Sequence, residues 1–362
     1  MSDSPHPDRV VIKIGTSSLV TDGNLDPAKA DSLAASVAGL VRDGLRPVLV
    51  TSGAIALGAA SLGGARTEAA TTRQLAAAVG QGALFEAFRS RLADHGLTAA
   101  QFLFTPVDLL DDRHRDGIKS VLGHALDRGV IPVVNENDAV QVRNNDILAA
   151  LLSVLLQAHR LMLLTDVPGL YGSDPRTDPD ARLVPEVKGM TVELERLAGA
   201  SGTGPGSGGM VSKLGAAWIT SLAGVTTVIA AAGESDVLAR ALRGEPVGTV
   251  VHPCPAPRGY DLGQLWRAFA GPPRGTVTVL GRVAHDGGAV PLSSVARTEG
   301  TFAVGDIVDI VARDGRPVAR GRTRASSRRL AELCASEDVT ERRSHDMTVL
   351  HHTEYVTLQE VC

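Results

Sequence analysis

The sequence contains few aromatic residues, few cysteines and no long apolar run. Only 3% of its 362 residues are Phe, Trp or Tyr although 44% are hydrophobic, so the core must be built mainly from Ala, Val and Leu. The three cysteines lie far apart, at positions 254, 334 and 362, and offer neither a disulfide framework nor a metal site. No apolar run approaches the ~18 residues of a membrane helix, and the first residues lack the apolar region of a signal peptide. These absences predict a reduced, cytoplasmic protein with no membrane partner.

Charge is nearly balanced, and lysine is scarce. The formal net charge is −4, so no global field attracts the chain to nucleic acid or to a membrane. Only five of the 36 basic residues are lysines, at positions 13, 29, 119, 188 and 213. The planar fork of Arg cannot replace a compact ammonium group. The few lysines are therefore candidates for sites that need a point charge, although five could also remain by chance.

Apolar segments alternate with helical patterns over the first part of the chain. Strands are predicted at 10–14, 46–54, 130–134, 160–165 and 225–231, and helices at 27–43, about 71–94, 114–128, 146–158 and 209–223. Because the strands lack polar alternation, we expect them to be buried on both faces, as in a parallel sheet. The pattern predicts an α/β domain over residues 1–252.

The composition changes after Val251. Residues 252–261 and 270–275 are rich in Pro and Gly, which predicts a linker at 253–274. Short segments with turn signals follow, and Asp314-Gly315 lies between alternating apolar residues, as in a β-hairpin. Residues 275–362 are therefore expected to form a small β-rich domain.

Polar residues and glycines follow several predicted strands. In parallel sheets, ligands bind at the carboxyl ends of strands, where loops and helix N-termini meet. Each group alone fits an ordinary strand-to-helix turn about as well as a binding site. Neither a Walker A motif nor a nucleophile elbow occurs in the chain. The candidates are Lys13, Gly15, Ser52, Gly53, Thr165 and Asp166.

A glycine-rich loop, SGTGPGSGGMVSK at 201–213, leads into the predicted helix at 209–223. Backbone N–H groups at a helix start favour anions, and Lys213 falls near the first turn. The alternative is a surface loop, but this loop ends in an amphipathic helix rather than between domains. Lys13 and Lys213 thus both lie in glycine-containing contexts. Two lysines from separate loops would supply the positive charge that phosphoryl transfer requires.

The stretch VVNENDAVQVRNNDILAALL, residues 133–152, places many amides and acids between a strand and a helix. It is either a solvated turn with a helix cap or a pocket that binds something small and polar. The polar residues are Asn135, Glu136, Asn137, Asp138, Asn144, Asn145 and Asp146.

Taken together, these motifs resemble those of bacterial glutamate 5-kinases in the amino-acid kinase superfamily. The segments that carry the resemblance, in order, are VVIKIGTSSL, VTSGAIALG, LAAAVGQG, PVVNENDAV, LMLLTDVPGLYGSDPR and SGGMVSKLGAA, over residues 9–251. The tail segment GTFAVGDIVDIVARDGRPVARG resembles a PUA domain. The resemblance implies a three-layer α/β/α sandwich with a mainly parallel central sheet, plus a small C-terminal β-rich domain. It also implies ATP-dependent phosphorylation of the L-glutamate γ-carboxylate, the first step of proline biosynthesis.

The resemblance further implies roles for individual residues. Lys13 and Lys213 would stabilise the transferred phosphoryl group, and Asp146 would orient them or the substrate amine. Glutamate would be bound by Ser52, Gly53, Asn135, Asp138 and Asn145. ATP would be bound by Lys13, Gly15, Thr165, Asp166, Ser207, Gly208, Gly209, Met210, Val211, Ser212 and Lys213. Mg²⁺ would be held mainly by the ATP phosphates, with no direct protein site. A homodimer or homotetramer is expected, and the next enzyme of the pathway is a candidate partner.

The sequence departs from the family pattern in one loop, and alternatives stay open. The loop at 139–145 is several residues shorter, and Arg143-Asn144 stands where the family usually has Gly-Asp. A related kinase that acts on a different carboxylate is therefore a second hypothesis. A third is RNA binding or regulation through the tail, since residues 313–329 contain seven arginines. Residues 275–362 carry eleven arginines against twelve acids, which makes nucleic acid the less favoured partner.

Overall fold

The structure is a computed structural model that describes residues 6–64, 69–140, 144–175, 177–199, 209–255, 259–281, 283, 288–335 and 348–358. Within this part, the strands are β1 His6–Ile14, β2 Val20–Thr21, β3 Asn24–Leu25, β4 Arg46–Val50, β5 Thr98–Phe104, β6 Val130–Glu136, β7 Ala158–Thr165, β8 Glu186–Val187, β9 Thr226–Ala231, β10 Thr249–Val251, β11 Gly275–Val279, β12 Val290–Pro291, β13 Val295–Gly300, β14 Ile307–Val311, β15 Pro317–Arg322, β16 Thr348–Leu350 and β17 Tyr355–Thr357.

The helices of the described residues separate most of these strands. They are α1 Pro27–Arg42, α2 Ala54–Ser61, α3 Ala70–Asp94, α4 Pro106–Leu110, α5 Asp112–Asp127, α6 Asn145–Leu155, α7 Val192–Gly199, α8 Met210–Leu222, α9 Val237–Leu242, α10 Leu262–Phe269 and α11 Ser327–Ala335. Short 3-10 turns lie at Thr16–Ser18, Leu292–Ser294 and His352–Glu354.

An eight-stranded sheet forms the centre of the first domain, in the order β5-β6-β4-β1-β7-β9-β10-β8. The strands from β5 to β9 are parallel, whereas β10 is antiparallel to β9. Side chains of β1 alternate between two cores, with Val11 in one and Ile12 in the other. Helices α5, α6, α8 and α10 cover one face, and α1, α2, α3 and α9 cover the other. The three-layer α/β/α sandwich with a mainly parallel sheet is thus confirmed.

Two glycines set the distance between α2 and α3. A Cβ atom on Gly58 would lie 1.8 Å from the carbonyl oxygen of Ala76, and one on Gly80 would lie 2.0 Å from that of Ala54. The two helix backbones are therefore in direct contact, which any larger residue would prevent. This contact holds the start of α2, next to Ser52 and Gly53, against the middle of α3.

The C-terminal domain is built on a five-stranded sheet in the order β13-β11-β14-β15-β17. β14 and β15 form the hairpin expected around Asp314-Gly315, and Gly315 adopts a φ of 84° that favours glycine. The small pair β12–β16 and α11 complete the described part. The expected β-rich C-terminal domain is confirmed.

The segment 253–274, predicted as a linker, contains a helix that packs between the domains. The Pro and Gly residues flank α10 rather than interrupt it. Asp261 caps the helix by accepting a hydrogen bond from the Gln264 N–H at 2.8 Å, and Oε1 of Gln264 accepts one from the Asp261 N–H at 3.1 Å. Leu265 and Phe269 are buried in the core of the first domain. The composition at the two ends of this stretch gave no sign of the helix, because α10 is formed by the apolar residues between them.

No helix in the part of the chain that the structure describes combines the length and the apolarity needed to cross a membrane.

Candidate active site

Residues from distant parts of the sequence meet at the carboxyl edge of the central sheet. Lys13 lies near the end of β1, Ser52 follows β4, Glu136 ends β6 and Thr165 ends β7. β6, β4, β1 and β7 are consecutive in the sheet, so parallel pairing brings all four ends to one edge. The N-termini of α6 and α8 reach the same edge through Asp146 and Lys213, as the ion pairs below show.

A buried ion cluster occupies the centre of this edge. The Nζ atom of Lys13 lies 2.7 Å from Oδ1 of Asp146, and Nζ of Lys213 lies 3.6 Å from Oδ2. The Ser212 hydroxyl donates a hydrogen bond to Oδ2 of Asp146 at 2.5 Å. Asp146 is 0% exposed and each lysine is 6% exposed. Two ammonium groups thus share the carboxylate of Asp146, and the charge of Asp166 also acts on Lys213.

The pKa values of Asp146 and Lys213 reflect both burial and the charges of the cluster. Burial would raise the pKa of Asp146, but Lys13 and Lys213 hold it below its usual value. Burial, together with repulsion from Lys13, lowers the pKa of Lys213, while Asp146 and Asp166 act in the opposite direction. A bound anion would relieve the repulsion between the lysines, so the cluster favours an anionic ligand.

Local sequence explains how two helix starts come to face this cluster. Asn144 caps α6 by accepting a hydrogen bond from the Asp146 N–H at 2.8 Å, which places Asp146 in the first turn. Lys213 lies in the first turn of α8, which begins at Met210 after the cap residue Gly209. Both helices therefore direct their partially positive N-terminal ends toward the cluster.

A network of amides lies beside the ion cluster. Asn145 donates from Nδ2 to the Ser52 hydroxyl at 3.2 Å, and its Oδ1 accepts from the Glu136 N–H at 3.1 Å. Asn135, which is 1% exposed, also accepts from the Glu136 N–H and donates to Oε1 of Gln81 at 2.8 Å. Three of the predicted substrate-binding residues, Ser52, Asn135 and Asn145, are thus brought together.

The other two predicted substrate-binding residues border the same region. Gly53 adopts a φ of 115°, and a Cβ there would lie 3.1 Å from Val20, so the turn into α2 requires glycine. Asp138 lines a cavity of about 270 Å³ with Gln81, Glu136 and other residues. The cavity is open beside the amide network, on the side of α3.

Sequence reasoning missed the contribution of α3. Gln81 binds Asn135, and Gln74 donates from Nε2 to the Val140 carbonyl at 2.7 Å. The two glutamines lie about two turns apart and therefore share one face of the helix. A pair of amides at this spacing in an Ala-rich helix was the available signal that α3 supports the polar stretch.

The predicted nucleotide-binding residues lie on the other side of the ion cluster. The Thr165 hydroxyl donates to Oδ1 of Asp166 at 3.0 Å, and the charge of Asp166 acts on Lys213. Gly15 donates its N–H to the Leu164 carbonyl at 3.1 Å, which ties the turn after β1 to β7. Gly209, Met210, Val211 and Ser212 form the start of α8. Ser207, Gly208 and Arg143 lie outside the described residues.

The acidic residues of the site are poorly suited to hold a metal ion directly. Both carboxylate oxygens of Asp146 are already engaged by Lys13, Lys213 and Ser212. Across the ranges that the structure describes, no group of three or more His, Cys, Asp or Glu side chains is arranged to hold a metal ion.

The family models and the sequence relatives agree on one family. The model of the amino acid kinase family matches residues 8–231, and that of the PUA domain matches residues 282–343. A glutamate 5-kinase of Geobacter sp. (strain M21) is 39% identical over 336 residues, covering 90% of each chain. One from Shewanella amazonensis is 37% identical over 374 residues, covering 98% of this chain and 97% of the relative. A solved UMP kinase from Bacillus anthracis is 17% identical with a TM-score of 0.48, covering 68% of this chain and 96% of that one.

Proposed function

Because the chain belongs to the amino acid kinase family, and within it to the glutamate 5-kinases, we propose that it transfers the γ-phosphoryl group of ATP to the γ-carboxylate of L-glutamate. The product, L-glutamyl 5-phosphate, begins proline biosynthesis. The observation that carries the mechanism is the buried Lys13–Asp146–Lys213 cluster, in which two lysines share one aspartate.

The reaction needs electrostatic help more than proton transfer. A glutamate carboxylate has a reference pKa of about 4.3 and is already ionised at neutral pH, so no general base is required. A γ-carboxylate oxygen forms a bond to the γ-phosphorus while the bond from that phosphorus to the ADP oxygen breaks. Lys13 and Lys213 offset the repulsion between the two anions and stabilise the charge on the transferred group. Asp146 keeps both ammonium groups in place and, with Ser212, sets their spacing.

The amide network is proposed as the glutamate site. Ser52, Asn135 and Asn145 present fixed polar groups beside the cluster, and Gly53 keeps the turn clear of a side chain. Asp138, on the adjoining cavity, offers a carboxylate to the substrate α-amine. The γ-carboxylate would then point toward Lys13, because the cluster lies next to Asn145 in the chain and in space.

The start of α8 is proposed as part of the nucleotide site. Helix N-termini bind phosphates through N–H groups and the helix dipole, and the first turn of α8 begins at Met210 beside the ion cluster. The other proposed nucleotide-binding residues are Gly15, Thr165, Asp166, Ser207 and Gly208. Mg²⁺, which neutralises phosphate charge when bound, would be carried on the ATP phosphates, since the oxygens of Asp146 are already engaged.

A kinase for another carboxylate is the second candidate, because the loop before α6 is short. Asn144 is engaged as the cap of α6 through the Asp146 N–H. A residue that caps a helix is less available as a ligand for the substrate amine. This observation favours a site with fewer amine contacts than the family pattern has.

The third hypothesis, RNA binding by the tail arginines, loses support from their contacts. Arg316 pairs with Asp314, Arg324 with Glu354, and both Arg328 and Arg329 with Glu332. Arginines already paired with carboxylates contribute little to phosphate binding. These contacts favour a solvated face with paired charges over a phosphate-binding surface.

We also propose that the protein is cytoplasmic and that its domains span residues 1–252 and 275–362.

A homo-oligomer is proposed as well. β5 is an edge strand of the sheet within the described residues. Leu103 on β5 and Leu75 and Val79 on α3 are exposed beside it, which suits a contact with a second copy. Leu75→Glu should shift the mass measured by light scattering, whereas Val121→Glu on α5 should not.

The test of the proposed function is acyl-phosphate formation, trapped as a hydroxamate with hydroxylamine. The wild-type chain is supplied with ATP, Mg²⁺ and, in separate reactions, L-glutamate, D-glutamate, L-aspartate or N-acetyl-L-glutamate. Product with L-glutamate above the other acids supports the proposal. Product with another acid and none with L-glutamate would reject it in favour of the second candidate.

A further inference from the structure

A second buried ion cluster joins the C-terminal domain to the first. Arg320, on β15, is 1% exposed. It donates from Nε to Oδ1 of Asp309 at 2.6 Å and from Nη2 to Oδ2 at 3.2 Å, both within the C-terminal sheet. Its Nη1 lies 2.7 Å from Oε2 of Glu195, which belongs to α7 of the first domain. One guanidinium therefore bridges a carboxylate of each domain.

The geometry of this cluster is restrictive. A guanidinium that binds one carboxylate through two N–H groups and a second through another allows little sliding or rotation. Burial of two carboxylates with one cation is not an efficient source of stability, because desolvation offsets much of the attraction. Burial raises the pKa of Glu195 even though Arg320 opposes the shift. The cluster of Arg320 with Glu195 and Asp309 therefore fixes the position of α7 relative to β15.

The same arginine touches the helix that lies between the domains. The Arg320 guanidinium carbon is 5.6 Å from the centre of the Phe269 ring on α10, and that ring stacks on Trp218 of α8 at 5.6 Å. A Cβ on Gly215 of α8 would lie 3.4 Å from the Phe269 carbonyl oxygen and 3.4 Å from Ile147 of α6. A series of close approaches thus leads from Arg320 to Gly215, near the start of α8, and to Ile147 in the first turn of α6.

These first turns carry the proposed catalytic groups. Gly215 follows Lys213 by two positions, and Ile147 is next to Asp146. α7 packs on α8, and the chain from its end at Gly199 continues through 200–208 to Gly209. The helix that Glu195 anchors therefore precedes the proposed nucleotide segment directly in the chain.

We propose that Arg320 is a positioning residue for phosphoryl transfer, and that its pairing with Glu195 holds α7 and α8 in the arrangement that binds ATP. The inference rests on the proposed kinase function. Arg320 acts through α7, α10 and α8 rather than by contact with the reacting atoms. The C-terminal domain thereby contributes to the geometry of a site built by the first domain.

The test compares two substitutions that remove one carboxylate each. Glu195→Gln breaks the charge pair between the domains and keeps the side-chain size. Asp314→Asn, which breaks an exposed pair with Arg316 in the C-terminal domain and leaves Arg320 untouched, is the matched control. We expect Glu195→Gln to raise KM for ATP about five- to tenfold with kcat nearly unchanged, and Asp314→Asn to leave KM for ATP at the wild-type value.

An equal KM for ATP in Glu195→Gln and wild type would assign the cluster a purely structural role and overturn the inference. If Glu195→Gln does not fold, Glu195→Asp, which keeps the charge but shortens the reach, replaces it with the same expected direction. Calorimetric titration of ADP separates the inference from the kinase assignment. If the Glu195 variant binds ADP more weakly than wild type and the control does not, the positioning role is supported, even if wild type does not phosphorylate glutamate. Absence of glutamate turnover would reject only the proposed function.

Discussion

The two buried ion clusters of this protein have opposite compositions. At the carboxyl edge of the large sheet, Asp146 lies between Lys13 and Lys213. At the domain junction, Arg320 lies between Glu195 and Asp309. The charged side chains of both clusters, apart from Glu195, are almost fully buried. The clusters therefore differ in charge and geometry rather than in exposure.

The difference indicates what each cluster is built for. Lysines are compact charges that adjust to a ligand, and a surplus of one cation attracts phosphate. The arginine fork makes several directed hydrogen bonds and leaves no free cation for a ligand. Burial lowers the pKa of Lys213 in the first cluster, while in the second Glu195 and Asp309 outweigh burial and raise the pKa of Arg320. We propose that substrate completes the first cluster, whereas the charges of the second are paired with one another.

The largest effect should come from removing a cation of the catalytic cluster. Lys213→Met should lower kcat about 10³-fold, because the positive charge that stabilises the transferred group is lost. Folding should persist, since Lys13 and Asp146 remain paired. Steady-state kinetics and circular dichroism measure both. Lys188→Met, at a lysine that is 82% exposed, is the control and should be neutral. A loss of less than about tenfold in Lys213→Met would mean that the surplus charge is not catalytic.

Removing the central anion should act on stability as well as on activity. Asp146→Asn leaves two buried ammonium groups facing each other, so we expect a loss of about 3–5 kcal/mol in the free energy of unfolding. Urea titration measures it. Asp127→Asn, which breaks an exposed pair with Arg46, should cost less than about 1 kcal/mol. Equal losses in the two variants would remove the distinction between the buried cluster and an ordinary surface pair.

A smaller effect is expected in the alkaline pH dependence of catalysis. The pKa of Lys213 is lowered, so rising pH should deprotonate it below the ordinary lysine value of 10.5 and remove the surplus charge. We expect kcat/KM for ATP to fall as the pH rises, with the decrease beginning below pH 10.5. Saturating glutamate and a pH-stable coupling system isolate the effect. A profile that stays flat up to the ordinary lysine pKa would contradict the prediction.

The smallest effect concerns the acid side of stability and has opposite signs in the two clusters. The folded-state pKa of Glu195 is raised, so its protonation favours the folded protein: stability relative to Glu195→Gln should rise as pH falls through that pKa toward 4.5. The folded-state pKa of Asp146 is lowered, so its contribution is complete above 3.8 and is lost only as pH falls further. Unfolding titrations of wild type and Glu195→Gln across this range give the difference. The prediction is contradicted if, as pH is lowered toward 4.5, the free energy of unfolding of wild type decreases relative to that of Glu195→Gln.

Much of the fold could be predicted because its signals are local. Pro27 and Asp26 mark the start of α1, and the Asp314-Gly315 turn marks the hairpin between β14 and β15. The helix predicted at 146–158 ends earlier, at Leu155, because Gln157 turns the chain with a φ of 51° into β7. The antiparallel direction of β10 and the packing of α10 had no local signal.

The candidate site was predictable in its members and not in its contacts. Strand ends and the family resemblance singled out Lys13, Asp146 and Lys213. The support from Gln81 became visible only when α3 was placed on the polar stretch.

The sequence alone determined the layered α/β plan, the family and the residues that carry charge to the strand ends, because periodicity, caps and motifs are read over short distances. Tertiary structure decided which charges are buried together and in what ratio. Ion pairing and desolvation depend on distances between atoms far apart in the chain, so only the packed sheet and helices show that one aspartate serves two lysines and one arginine serves two carboxylates.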